Sequence, residues 1–222
     1  MSNAALPDFE TELTEQSESL KRTLASPVIV RLLSALGKRS AVDALLRDGE
    51  REAAVLALVR MAGENNERAE LLFIKRAVYN GDPWSGHIAF PGGRRDAADE
   101  SLSVTALRET WEELALDVMK LGKLVGRVDD LAPRTPALPP IIIRPFIGVV
   151  PVDTLLTPNA EVAEAFWVSV AELKLESTRI EHVFERSGET LAFPAFKIRE
   201  HVIWGLTERI VTQLLPLFDG AE

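Results

Sequence analysis

The octet ALRETWEE, residues 106–113, carries three glutamates at a spacing that could hold a metal ion. On a helix, Glu109 points to the same side as Glu112 and Glu113, because residues three and four apart share a face. Like charges at this spacing destabilise a helix by about 0.2–0.5 kcal/mol per pair unless a cation lies among them. A hard divalent metal ion is one such cation, and Arg108 offsets part of the repulsion. An acidic face turned to water is the alternative on the octet alone.

The residues before the octet predict a turn that faces the helix. The run GHIAF is typical of a short strand, and it ends at a Pro-Gly-Gly sequence. Gly92 and Gly93 allow the backbone to turn sharply and to approach a ligand closely, because neither has a Cβ. Asp99 or Ser101 is a plausible N-cap for the helix that follows. The helix offers these residues for packing: Leu102, Leu107, Trp111 and Leu114.

The remaining elements predict an α/β protein with a mixed β-sheet between helices. The runs AAVLALVRMA and AELLFIKRAV, joined by GENNER, indicate a β-hairpin. Further strands are predicted in KLVGRVDDL, IIIRPFIGVVPV, EVAEAFWVSV, RIEHVFERSGE and LAFPAFKI, with APRTPALPP as a proline-rich linker. A carboxy-terminal helix is predicted in IWGLTERIVTQLLPLF. We expect one domain over residues 51–222, preceded by a helical extension over residues 1–50 that is broken at Pro27 and ends its helix near Gly37.

Composition narrows the classes of partner. The formal charge of 25 − 34 = −9 disfavours broad attraction to nucleic acid or an anionic membrane. The absence of cysteine excludes disulfides and thiolate zinc sites. His87, His182 and His201 lack the usual zinc-ligand spacing, so structural roles are favoured for them. The acidic amino terminus and the absence of an apolar run of ~18 residues favour a cytoplasmic protein that acts on a small molecule.

The unit FPGGRRDAADESLSVTALRETWEELAL resembles the Nudix box, G-x5-E-x7-R-E-U-x-E-E-x-G-U, in which U is a bulky aliphatic residue. Residues that match it are Glu100, Arg108, Glu109, Glu112, Glu113 and Leu116. Gly93, however, lies one residue too far from Glu100. Either the loop carries an insertion or Asp99 takes the place of the loop acid.

Two further positions depart from the pattern. Thr110 stands where a larger aliphatic residue is usual. Ala115 replaces the closing glycine, which costs about 1 kcal/mol if the position is left-handed.

The resemblance extends to the coenzyme A pyrophosphatase branch of the Nudix family. LLFIKRAVYNGDPWSGHIAFPGG is similar to the branch's segment before the box, where an LL-x-x-x-R strand leads to G-x-x-x-F-P-G-G. The branch also tolerates a longer loop ending in Asp, which favours the insertion. EVAEAFWVSVAEL and HVIWGLTERIV are similar to its later strand and helix, so the likeness covers roughly residues 53–217. Trp84 stands where the branch usually has a histidine.

The resemblance implies a Nudix fold in which Glu109, Glu112 and Glu113 bind Mg²⁺ or Mn²⁺ and Arg108 orients a glutamate. It implies attack of water on a diphosphate, with coenzyme A or acyl-CoA as the first expectation and 3',5'-ADP and a 4'-phosphopantetheine as products. ADP-ribose or a nucleotide sugar is an alternative substrate. A nucleotide-sensing Nudix module without catalysis is another alternative, although such modules commonly lose box glutamates that this chain keeps. The general base stays open, with Glu161 and Glu164 as candidates outside the helix.

Several other residues are candidates for substrate contact, and each has solvation or core packing as its alternative role. Arg94 and Arg95 could bind a substrate phosphate or remain solvated. The same alternatives hold for Lys75, Arg76 and Arg144. Trp84 could stack on a ligand, whereas core packing is favoured for Phe90 and Trp204. A homodimer that uses the amino-terminal helices is also possible.

Overall fold

The computed structural model describes residues 18–79, 84–133, 140–186 and 189–219. Its larger sheet has seven strands: β1 (Arg51–Ala62), β2 (Arg68–Arg76), β3 (Ile88–Ala89), β4 (Gly92–Arg94), β5 (Lys123–Arg127), β6 (Ile141–Val149) and β7 (Val162–Ser169). The order is β3-β2-β1-β6-β5, with β4 also beside β1 and β7 also beside β2. β1 and β6 run parallel, and the other pairs are antiparallel. The predicted mixed sheet and its hairpin are confirmed.

A fork in this sheet positions the glycine turn. β1 and β2 pair as far as Val59 and Leu71 and then diverge. The chain from β3 to β4 fills the gap, because β3 pairs with β2 while Gly92 and Gly93 of β4 pair with Val55 and Ala54 of β1. The two glycines are therefore fixed by strand pairing.

In the described part of the chain, helices and a smaller sheet cover the two faces of the larger sheet. The helices are α1 (Pro27–Gly37), α2 (Leu102–Leu114), α3 (Val118–Leu121), α4 (Val170–Lys174) and α5 (Gly205–Leu214). The smaller antiparallel sheet contains β8 (Arg179–Arg186), β9 (Glu189–Ile198) and β10 (His201–Trp204), and short 3₁₀ turns lie at Glu176–Thr178 and Leu215–Phe218. The larger core contains side chains of α1, α5 and the smaller sheet. The smaller core contains side chains of α2 and α3. Within the described ranges, every helix is too short or too polar to serve as a membrane span.

The amino-terminal segment packs on the domain. Residues 18–24 are helical, and α1 starts at Pro27 behind the N-cap Ser26. Ile29 and Leu32 are fully buried in the larger core. The helix ends at Gly37 as predicted, and residues 38–46 have no regular structure. The first seventeen residues lie outside the described ranges.

Two details of the predicted elements were wrong. Trp111, expected to pack, is 54% exposed. Ile203 and Trp204, expected in the last helix, belong to β10, because they pair with Phe196 and Ala195 of β9. Most of the predicted proline-rich linker, residues 134–139, lies outside the described ranges.

Candidate metal and active site

Helix α2 presents its glutamates to the fork because its two ends are fixed. Ser101 is the N-cap, and its hydroxyl accepts from the Val104 N–H at 3.3 Å. At the other end, Ala115 is left-handed, with φ 51° and ψ 31°. An alanine there costs about 1 kcal/mol relative to glycine. Leu102, Ala106 and Leu114 of this helix are buried in the smaller core.

Glu113 is a carboxylate held out of water at the fork. The residue is 2% exposed, and its Oε2 accepts from the Gly92 N–H at 2.9 Å. Its Oε1 lies 4.0 Å from the Arg76 guanidinium. Burial raises the pKa of Glu113 to about 8; the Gly92 N–H and Arg76 oppose the shift, while the charges of Glu109 and Glu161 add to it. Burial therefore outweighs the stabilisation that the Gly92 N–H and Arg76 give to the charged form of Glu113.

Glu109 lies against the second glycine of the turn. A Cβ at residue 93 would come within 2.5 Å of the Glu109 carboxyl group, so Gly93 makes room for this carboxylate. Burial raises the pKa of Glu109, although the adjacent Arg108 lowers it and the charges of Glu112 and Glu161 raise it further. Gly92 is required for a different reason. Its φ is +148°, and a Cβ there would lie 2.3 Å from the Ala54 carbonyl oxygen.

Arg108 joins the loop to the acidic face. Its Nη1 lies 3.0 Å from Glu109 and 3.1 Å from Glu112, whose side chain is 51% exposed. Its Nη2 donates to the Arg94 carbonyl at 3.1 Å. Hydrogen bonds to Asp99 are the largest cause of the raised pKa of Arg108. Arg108 is thus a fixed cation that orients two of the three glutamates.

Asp99, one of the two alternatives for the loop acid, contacts Arg108 directly. Its carboxylate accepts from Arg108 Nε at 3.0 Å and from Nη2 at 2.9 Å. It also accepts from the Asp96 N–H and the Thr105 hydroxyl, each at 2.9 Å. The Arg108 hydrogen bonds hold the pKa of Asp99 well below its usual range. Glu100, which matched the box by spacing, is exposed.

The structure separates the two carboxylates proposed outside the helix. Glu161 lies close enough to α2 for its charge to raise the pKa of both Glu109 and Glu113. Its loop is fixed to the end of α2, since the Asn159 N–H donates to the Glu113 carbonyl at 2.9 Å. Glu164 instead lies 3.6 Å from His201. Glu161 therefore belongs with the box carboxylates and Glu164 does not.

Arg94 and Arg95 diverge after the turn. Arg95 bonds Glu52 at 2.9 Å and donates to the Asp99 carbonyl, so it holds the loop. Arg94 has an exposed side chain. Both line an open cleft of about 420 Å³ whose other walls include Glu50, Glu52 and Leu46. Arg94 is the better placed of the two to contact a substrate.

The remaining candidates fall in different surroundings. Arg144 bonds Asp130 at 2.8 Å and is part of a structural ion cluster. Phe90 is 2% exposed and stacks on Phe73, as core packing predicts. Trp204 lies 4.9 Å from both His87 and His182 by ring centroid.

Trp84 and Lys75 are both half-buried. Trp84 begins a turn in which its carbonyl oxygen accepts from the His87 N–H at 3.2 Å. The predicted loop around Trp84 extends into residues 80–83, outside the described ranges.

The donors at the fork suit a hard divalent cation. The box glutamates offer only carboxylate oxygens, which Mg²⁺ and Mn²⁺ prefer. Two of the carboxylates have raised pKa values chiefly because they are buried, and a bound cation would favour their charged forms. The residues present therefore fit a metal-assisted reaction on a substrate with phosphate groups.

The comparisons with known proteins agree with this class of site. The sequence matches the family model of the NUDIX domain over residues 50–186. The chain is 32% identical over 185 residues to the mitochondrial coenzyme A diphosphatase NUDT8 of Homo sapiens, covering 81% of this chain and 75% of that protein. The fold resembles that of a MutT/nudix family protein from Enterococcus faecalis, with a TM-score of 0.51, 14% identity, and coverage of 97% of this chain and 76% of that chain. The chain belongs to the Nudix family of hydrolases, which act on phosphoric anhydrides.

Similarity to other relatives is more local. An uncharacterised protein of Schizosaccharomyces pombe is 35% identical over 117 residues, which is 50% of this chain. The chain spans 36% of the length of that protein.

Proposed function

We propose that this protein is a Mg²⁺-dependent hydrolase that cleaves the diphosphate bond of a nucleoside diphosphate derivative, with coenzyme A or acyl-CoA as its substrate. The observation that carries the proposal is the buried Glu113 carboxylate, which lies beside Glu109 with its nearest arginine nitrogen 4.0 Å away. A divalent cation would offset the negative charge of the glutamates and of the phosphate groups, so that a phosphorylated substrate can bind beside them.

In this proposal Glu109, Glu112 and Glu113 hold Mg²⁺ or Mn²⁺. The bound ion supplies positive charge that offsets the carboxylates and the diphosphate oxygens. Arg108 keeps Glu109 and Glu112 in position, and Asp99 keeps Arg108 in position. The backbone of Gly92 and Gly93 lets the substrate approach the glutamates closely.

Glu161 is proposed as the general base. The carboxylate is exposed, and its charge reaches Glu109 and Glu113, so it lies at the mouth of the site. It accepts a proton from the attacking water while the water oxygen bonds to one phosphorus. The anhydride P–O bond then breaks and the second phosphate leaves. With coenzyme A these products are 3',5'-ADP and 4'-phosphopantetheine.

The coenzyme A assignment is supported by the similarity to the human relative, which is a coenzyme A diphosphatase by name. In a chain of net charge −9, a 3'-phosphate needs a local cation, and the exposed Arg94 is the proposed one. We also propose a cytoplasmic location, although the human relative is named as mitochondrial. A homodimer remains a prediction.

The test is a side-by-side measurement of kcat/KM for coenzyme A, dephospho-coenzyme A and ADP-ribose with Mg²⁺. We expect coenzyme A to exceed the other two, and Arg94→Ala to reduce the advantage over dephospho-coenzyme A. A higher value for ADP-ribose would overturn the coenzyme A assignment and leave the diphosphate hydrolase intact. Nucleotide binding without hydrolysis of any of the three would instead support a sensing module.

A further inference from the structure

A second set of metal-ligating side chains lies outside the Nudix box. Glu164 comes from β7, Glu200 from the turn between β9 and β10, and His201 from the start of β10. One ligand atom from each residue lies within 4.8 Å of the others. The His201 side chain is 3% exposed, whereas those of Glu164 and Glu200 are 44% and 72% exposed. A buried imidazole therefore reaches the surface between two accessible carboxylates.

The imidazole is held in a fixed orientation. Its ring stacks on Phe166 with centroids 4.1 Å apart and an interplanar angle of 16°. This ring orientation brings Nε2 to 3.6 Å from Glu164 Oε1 and 3.5 Å from Glu200 Oε1. In the described part of the chain, the imidazole makes these two contacts and no side-chain hydrogen bond.

The two distances are longer than ordinary hydrogen bonds but fit ligands of a shared ion. N–H···O bonds are usually about 2.7–3.2 Å long. Ligand atoms around a tetrahedral zinc ion with bonds of about 2.0–2.2 Å lie about 3.3–3.6 Å from one another. Each carboxylate oxygen thus lies at the distance from Nε2 that is expected of a neighbouring zinc ligand.

We propose that His201, Glu164 and Glu200 form a second cation site that takes Zn²⁺. An imidazole and two carboxylates are ordinary zinc ligands, whereas Mg²⁺ prefers oxygen ligands alone. The fourth position faces solvent beside the two exposed glutamates and is open to water. The site joins β7 of the larger sheet to the β9–β10 turn of the smaller sheet, so the ion clamps the two sheets together.

This site is separate from the box glutamates. Phe166, on which His201 stacks, belongs to the larger core, together with α1, α5 and the smaller sheet. Helix α2 packs on the smaller core, which lies on the other face of the larger sheet. The zinc site therefore does not depend on the proposed hydrolase function, and neither proposal fails with the other.

The test is a zinc titration by calorimetry of the full chain in excess Mg²⁺, which competes for the box. Glu164→Gln and Glu200→Gln remove one ligand each from the exposed side of the site. Glu181→Gln changes an exposed glutamate of β8 in the same way and is the matched control. We expect each ligand variant to weaken zinc binding at least about tenfold, since loss of even an outer-shell partner costs 10–100-fold. The control should bind zinc like the wild type.

Two further measurements distinguish a zinc site from a simple histidine–carboxylate ion pair. Zinc should raise the melting temperature of the wild type and of Glu181→Gln more than that of the ligand variants, because tighter binding to the native state stabilises it more. Zinc should also shift the ¹⁵N resonance of His201 Nε2. Equal zinc affinity in all four proteins, or a His201 resonance that zinc does not move, would overturn the proposal.

Discussion

Two regions of this molecule bury carboxylates in opposite ways. The side chain of Asp130 is fully buried, and Arg144 binds both of its oxygens at 2.9 and 2.8 Å. Arg127 lies 3.7 Å away, and the Ala44 N–H donates to it at 3.0 Å. At the fork, Glu113 is as deeply buried but has one N–H donor and a guanidinium nitrogen at 4.0 Å. Asp130 is compensated by the protein, and Glu113 is not.

The difference separates a structural cluster from a binding site. The Asp130 cluster attaches residues 38–46 to β5 and β6, since Arg127 and Arg144 also bind Asp43. Its charges are satisfied within the chain. At the fork, burial disfavours the charged form of Glu113, and a bound cation would favour it. Substitutions in the first region should therefore change stability, and those in the second should change activity.

The largest expected effect is on turnover at the fork. Glu113→Gln and Glu112→Gln should each lower kcat at least about a hundredfold, because each removes a charge on which the metal site depends. Both proteins should remain folded, as judged by circular dichroism. Near-native kcat in saturating Mg²⁺ would show that the substituted residue is not a principal ligand.

A smaller loss of activity should follow from substitution of the loop acid. Asp99→Asn should lower kcat about 10–100-fold, as expected for a group that orients a metal ligand from outside the coordination sphere. Glu100→Gln, its exposed neighbour, is the matched control and should keep wild-type kcat. The reverse order of the two variants would restore Glu100 as the loop acid.

Substitutions in the Asp130 cluster should change the free energy of unfolding. Asp130→Asn should destabilise the protein by about 3–5 kcal/mol, because it removes the charge of a fully buried carboxylate that partly buried arginines bind. That corresponds to a fall in melting temperature of roughly 10 °C. Asp43→Asn, at a 61% exposed side chain of the same cluster, should cost less than about 1 kcal/mol. Thermal unfolding measures both, and a loss of kcat in folded Asp130→Asn would remove the contrast between the regions.

The last expected effect is a pH dependence of stability in EDTA, which is spread over about three pH units. The pKa of Glu113 rises from an ordinary 4.5 to about 8 on folding. Between these values the native state holds a proton that the unfolded state releases, so stability falls as pH rises. One such proton contributes up to about 1.4 kcal/mol per pH unit. The melting temperature of Glu113→Gln should therefore fall less than that of wild type between pH 5 and 8; equal slopes would contradict the shift.

The sequence predicted the elements of this site better than its contacts. The hairpin, the glycine turn and the acidic helix each have a local pattern, and the Ser101 N-cap follows from one residue type in one place. No local pattern decides between Asp99 and Glu100 as the loop acid, because the choice depends on which side chain the loop directs at Arg108. Trp111 was wrongly expected to pack, since an amphipathic pattern does not say where a core ends. His201 shows the same limit: its partners come from distant segments, and its own spacing carries no signal.

The loop that carries Glu161 is attached to α2 through main-chain atoms. The Thr157 N–H donates to the Leu114 carbonyl and the Asn159 N–H to the Glu113 carbonyl, each at 2.9 Å. These two bonds do not depend on side-chain identity, so residues 155–158 can diverge in evolution while the loop stays attached to α2. Asn159 is different, because its side-chain oxygen accepts from the Glu161 N–H at 2.8 Å. Substrate preference can then change by sequence drift in this loop without loss of the catalytic arrangement. For engineering, randomised libraries belong in this loop, with proline kept out of positions 157 and 159.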